Sequence, residues 1–197
     1  MRVRLLTYIR SESLRDLVEF DELLPHLSFT YAIEGISRAC SHQLVRHRVA
    51  SFSQQSQRYV PLRRLQERVV EPDTISREAS ELFNKFIMEA DEAYEALVKQ
   101  GVPREDARFV LPNATETHLL MTMSGESLFH FFGLRCCNRA QWEIRRLADV
   151  MLDLAREVEP EIFEGAGPYC YQLGFCPEGR FSCGRVEEMR ERYGESG

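Results

Sequence analysis

From Ile75 to Gln100 the apolar residues Ala79, Leu82, Phe83, Phe86, Ala90, Ala93, Tyr94 and Leu97 recur every three or four positions, the repeat of one helical face. Gly101 follows where a left-handed C-terminal cap would stand, so the spacing predicts a long helix over 75–100 that must lay its stripe on a core. A second stripe, Ile144, Leu147, Ala148, Met151, Leu154, Ala155 and Val158, predicts another. Elsewhere the period is two: Val3, Leu5, Thr7 and Ile9, then Phe29, Tyr31 and Ile33, then Thr115 to Met123 read as strands with one buried face each. Ser124 can cap a helix running to about Cys137, and Asn138 with Gln141 has capping-box spacing for the next one. Pro103 opens a brief helix that Leu111-Pro112 ends, and the tail from Gly165 to Gly197, rich in Gly, Pro and Cys, reads as irregular. Helices with a few strands and no strict βαβ alternation imply an α+β fold with an antiparallel or mixed sheet. At 197 residues and 44% hydrophobic content the chain can bury one substantial core, and a single catalytic domain over 1–197 is expected.

Charge is distributed unevenly along this chain. Its formal net charge is −6, yet from Gly35 to Gln66 there are six arginines (Arg38, Arg46, Arg48, Arg58, Arg63, Arg64), two histidines (His42, His47) and no Asp, Glu or Lys. An ordinary solvated face mixes signs. Within 46–59, guanidinium groups alternate with the hydroxyls of Ser51, Ser53 and Ser56 and the amides of Gln54, Gln55 and Gln57, the mixture that phosphate recognition requires. There is no G-x-G-x-x-G and no Walker loop, so any dinucleotide must be gripped by side chains.

Arg46-His47-Arg48, seven residues, then Ser56 resembles the Arg-His-Arg-x7-Ser signature of the flavin-dependent thymidylate synthases, the ThyX family. The flanking His26-Leu27-Ser28-Phe29-Thr30-Tyr31, Ser41-His42-Gln43-Leu44-Val45 and Gln57-Arg58-Tyr59 are similar to the family's as well. A second block, Phe131 to Arg145 with Arg135 and Ala140-Gln141-Trp142-Glu143, resembles its other hallmark.

The resemblance implies a curved sheet flanked by helices and a homotetramer whose active sites lie between subunits. It implies reductive methylation of dUMP to dTMP, with 5,10-methylenetetrahydrofolate as one-carbon donor, FAD as cofactor and NADPH as reductant. Arg46, His47, Arg48, Gln54 and His130 fall on flavin-binding positions. Gln43, Arg46, Gln54, Ser56, Gln57, Arg58, Arg108 and Arg135 fall on positions for dUMP, with Ser56, Arg58 and Arg108 around the phosphate. Arg135 would meet the uracil ring and is the expected catalytic residue, because a fixed guanidinium stabilises the negative charge that develops as C5 acts as a nucleophile. Ser56 is assigned to binding, since no base and orienter accompany it in the manner of a catalytic triad.

Two departures keep an alternative open, a degenerate homologue that binds nucleotide without full activity. The stretch from Ser11 to Pro25 is shorter than in the family, and Ser124-Gly125-Glu126 replaces an Asn-x-Arg pattern that faces FAD. Glu126 and His130, four apart, are expected to pair. A basic-patch nucleic-acid binder is a further alternative, disfavoured by the net negative charge. No signal peptide or membrane-spanning run is recognisable, so a cytoplasmic protein with six reduced cysteines is expected. Cys170, Cys176 and Cys183, spaced x5 and x6 with no later His, do not match the close Cys pairs of structural zinc sites, and no metal is expected.

Overall fold

The computed structural model describes residues 1–194, other than the side chains at 20 and 21. Strands β1 (Arg2–Tyr8), β2 (Ser28–Ser37), β3 (Ser51–Gln54) and β4 (Glu116–Ser124) form an open antiparallel sheet in the order β1-β2-β4-β3. The helices are α1 (Phe20–Leu23), α2 (Arg38–Leu44), α3 (Asp73–Glu78), α4 (Ser80–Lys99), α5 (Arg104–Ala107), α6 (Gly125–Arg135), α7 (Trp142–Val158), α8 (Pro160–Phe163), α9 (Tyr169–Gln172) and α10 (Val186–Gly194). The α+β class read from the sequence is the one observed.

The chain forms two compact units. One comprises Met1–Ile33, Gln43–Phe52 and residues from Leu120 onward; the other comprises Glu34–His42 and Ser53–Leu119. In the first, Phe29, Tyr31, Phe131, Phe132, Phe163, Leu147 and Met151 are fully buried. Phe163 is the hub, with edge contacts to Phe29 and Phe132 at ring-centroid distances of 5.2 and 6.1 Å and a stacked contact to Phe129 at 5.5 Å. Such pairs add about 0.5–1.5 kcal/mol each beyond area burial. In the second, Leu62, Tyr94 and Ala107 form one cluster, and Leu65, Ile87 and Ala90 another, both resting on α4.

Several expectations shift in detail. The helix over 75–100 is two: α3 ends at Glu78, and Ala79 leaves helical geometry with φ −150° and ψ 26° before α4 begins. The face α4 buries is Ile87, Ala90 and Tyr94, so Leu82 and Phe86 stand exposed at 71% and 52% beside the stripe. Its C-terminal end is as predicted: Gly101 has φ 87°, and its N–H donates to the Val98 carbonyl while that of Val102 donates to Leu97, closing a Schellman motif. In β1 the alternation breaks at its end, because Tyr8 turns inward to stack on Phe29 at 6.0 Å and leaves Thr7 and Ile9 exposed. Ser124 does cap α6, accepting from the Ser127 N–H at 3.2 Å. The α7 cap is Gln141 rather than Asn138: its Oε1 accepts from Glu143 and Ile144 N–H, while Asn138 accepts from Arg145. The tail expected to be irregular carries α9 and α10; its residues 195–197 lie outside the described residues. β3 carries no strand signal among its serines and was not anticipated.

Candidate functional site

In the first unit, the second sequence block delivers Arg135 at the last turn of α6, half-buried, and the first delivers His47, only 6% exposed, in the turn after α2. Arg135 Nε donates to His47 Nε2 at 2.9 Å. An imidazole accepting at Nε2 carries its proton on Nδ1 and is neutral. The same conclusion follows from its surroundings: burial, then the charge of Arg135, then that of His130 hold the His47 pKa down to about 4. The imidazole makes edge contacts with Phe131 at 5.0 Å and with His130 at 6.2 Å.

His130 lies five residues before Arg135 on α6 and is exposed. Its Nδ1 is 2.6 Å from the hydroxyl of Tyr169, from α9, so the expected pair with Glu126 is not formed. Glu126 instead sits exposed in the first turn of α6, where a carboxylate answers the helix dipole. Tyr169 can lie against α6 because Gly133 offers no side chain; a Cβ there would come within 2.7 Å of the tyrosine ring. Arg46 and Arg48 are exposed on either side of His47, and neither guanidinium has a hydrogen-bond or carboxylate partner among the described residues. Two unanswered cations beside a buried neutral imidazole, in a chain of net charge −6, fit a diphosphate-bearing flavin.

The second unit gathers a different set. Arg58 is held by Glu105, with Nε and an Nη at 2.9 and 2.8 Å from one carboxylate oxygen. Arg108 Nε donates to the Glu105 carbonyl at 3.0 Å. Arg38, half-buried, has its pKa lowered by burial and then by the charge of Arg108, so these like charges lie close enough to oppose one another. An anion between them would relieve that repulsion. Ser56 Oγ accepts from the Arg58 N–H at 3.2 Å, and Gln54 Nε2 donates to Thr117 Oγ1 at 3.2 Å. Gln57 is half-buried in the same unit, and Gln43 is half-buried near the end of α2 in the other. Arg38 was visible in the sequence only as one of a cluster; the structure singles it out.

A family model described as thymidylate synthase complementing protein matches residues 12–161. The flavin-dependent thymidylate synthase of Geobacter sulfurreducens is 54% identical over 175 residues, covering 88% of this chain and 75% of the relative. That of Nitratidesulfovibrio vulgaris is 53% identical over 173 residues, covering 82% and 70%. This chain belongs to the flavin-dependent thymidylate synthase family. It is accordingly an enzyme, a transferase. The fold agrees with a crystal structure of the flavin-dependent thymidylate synthase ThyX from Helicobacter pylori complexed with FAD and dUMP, at a TM-score of 0.69 and 23% identity over 85% of this chain and all of that one.

In this flavin-dependent thymidylate synthase Glu105 already occupies the Arg58 guanidinium, so any anion reaching Arg58 must displace that carboxylate. Both side chains are half exposed, so the pair is worth at most about 1 kcal/mol. Glu105→Gln is expected to lower the KM for dUMP by up to roughly fivefold with kcat unchanged, measured by initial rates against dUMP. An unchanged or higher KM would place the phosphate elsewhere than Arg58.

Proposed function

We propose that this enzyme converts dUMP to dTMP, consuming 5,10-methylenetetrahydrofolate and NADPH and releasing tetrahydrofolate and NADP+, with FAD as its cofactor. The observation that carries the reading is the 2.9 Å bond from Arg135 to His47, by which the family's two motif blocks meet. Arg46, His47, Arg48, Gln54 and His130 hold the flavin, which supplies hydride chemistry when bound. Arg58, Arg108 and Ser56 take the phosphate of dUMP, joined by Arg38; Gln43, Arg46, Gln54 and Gln57 complete the nucleotide's shell.

Arg135 stabilises the negative charge that gathers on the uracil N3 and carbonyl oxygen as C5 attacks the one-carbon unit. A guanidinium stays protonated at every working pH, so this stabilisation demands no proton transfer. Neutral His47 orients Arg135 by accepting from Nε, leaving the terminal nitrogens for the ring. Tyr169 fixes the imidazole of His130 through Nδ1 and settles which ring nitrogen remains outward. We take the enzyme to assemble as a homotetramer; the exposed Leu82 and Phe86 of α4 are apolar surface that a contact between subunits would cover. No described helix is long and apolar enough to cross a membrane, and we take the enzyme to work in the cytoplasm.

The purified protein is expected to bind FAD stoichiometrically and to form dTMP only when dUMP, methylenetetrahydrofolate and NADPH are all present, followed by flavin absorbance and product chromatography. Nucleotide binding without flavin uptake would leave the degenerate homologue, the reading that Glu126 favours by putting a carboxylate where the family pattern has Arg.

A further inference from the structure

Beyond the end of α6 lies a cavity of about 190 Å³ in the first unit, and four cysteines line it: Cys137 just past α6, Cys170 on α9, and Cys176 and Cys183 in the loops before α10. All four are free thiols. They range from buried (Cys170) through half-buried (Cys137, Cys176) to exposed (Cys183), so the cluster sits at the mouth of the cavity rather than in a sealed core.

The chain around them is held by polar contacts and not by a core: Arg190 donates to the Gly174 carbonyl and Arg139 to the Phe181 carbonyl. From 171 to 188 no residue is buried, and Leu173, Phe175 and Phe181 are 49%, 61% and 52% exposed. Gly174, Gly179 and Gly184 all have positive φ, so the loop turns sharply three times within eleven residues. A segment that buries so little apolar surface offsets little of its ordering entropy by packing, so a metal staple would add to its stability.

We infer that this cavity is a zinc site, in which one Zn²⁺ is held by the thiolates of Cys137, Cys170, Cys176 and Cys183. Four sulfurs are the ligand number and type of a closed structural zinc centre. The sequence spacing hid this, because the fourth ligand comes from a distant segment that only the fold brings to the tail. In the conformation described, no three His, Cys, Asp or Glu side chains among the described residues converge closely enough to hold a metal ion. Each cysteine sulfur swings about a single side-chain bond, and ligation requires the sulfurs to rotate inward over the cavity mouth. Binding converts four thiols to thiolates and releases four protons, leaving a centre of charge −2. Arg135 and Arg139 line the same cavity and offset that charge. The metal would thus tie the tail to the end of α6, where Arg135 sits, without taking part in the reaction.

The test is metal content and ligand identity in the full chain. Protein produced with added zinc and freed of loose metal is expected to retain one zinc per chain by mass spectrometry. Replacement by Co²⁺ is expected to give the visible bands of a tetrahedral centre together with an intense thiolate-to-cobalt charge-transfer band. Cys183→Ser removes the most exposed ligand and is expected to weaken Zn²⁺ by more than the roughly 10–100-fold that losing a group hydrogen-bonded to a ligand costs. If that variant does not fold, the cobalt spectrum of the parent decides alone. Zinc far below one per chain, a cobalt spectrum without charge transfer, zinc affinity unchanged in a folded Cys183→Ser, or a disulfide joining two of the four cysteines in protein purified with zinc would each overturn the assignment.

Discussion

Replacing Arg135 by alanine is expected to slow dTMP formation at saturating dUMP by a hundredfold or more, about 3 kcal/mol of transition-state stabilisation, the scale of a lost oxyanion donor. Reduction of the flavin by NADPH should stay near the parental rate, because no charge develops on uracil in that half-reaction. The split separates this role from the plainer one open to a basic residue in the last turn of a helix, which answers the dipole and affects melting alone. Arg135→Lys keeps the charge but cannot reproduce the Nε bond to His47, and it should recover only part of the loss. Parental dTMP formation by Arg135→Ala would return Arg135 to helix capping.

The second large effect is on stability below neutral pH. His47 titrates near 4 in the fold against an ordinary value of about 6.5, so the unfolded chain takes up the proton first. Its contribution is therefore fully present above about pH 6.5 and is lost as pH falls toward 4, to a limit of about 3 kcal/mol. Between about pH 7 and pH 5 this group alone should remove about 2 kcal/mol of unfolding free energy. His47→Gln, whose amide oxygen can still accept from Arg135, should lack that component. Denaturant titrations of both proteins at the two pH values measure it, and equal pH dependence in the two would show that His47 is not the group responsible.

Much of this was legible in the sequence, and the reasons differ by element. β4 alternates without interruption, so Thr117, Leu119, Met121 and Met123 all turn inward as read. The caps at Ser124 and Gly101 were legible because each depends on local chemistry alone. α4 was misjudged in its face: Leu82, Phe86 and Ala93 match a helical stripe as well as Phe83, Ile87 and Tyr94 do, and periodicity cannot choose between neighbouring stripes. In the site, residue types located Arg135 and His47 but not the bond between them, since they are 88 positions apart. Tyr169 and Glu105 were missed for a related reason: neither carries a motif, and each matters only through a partner that the fold supplies. The same holds for Cys137, which sequence spacing left out of the tail's thiols.

Tyr169 lies beyond residues 12–161, the span that the family model matches. The hydroxyl that fixes His130 is therefore supplied by a part of the chain outside the two motifs. Mutational drift in that segment could alter the aim of the His130 ring while every signature residue stayed in place, so the tail is where one member of the family can be tuned apart from another.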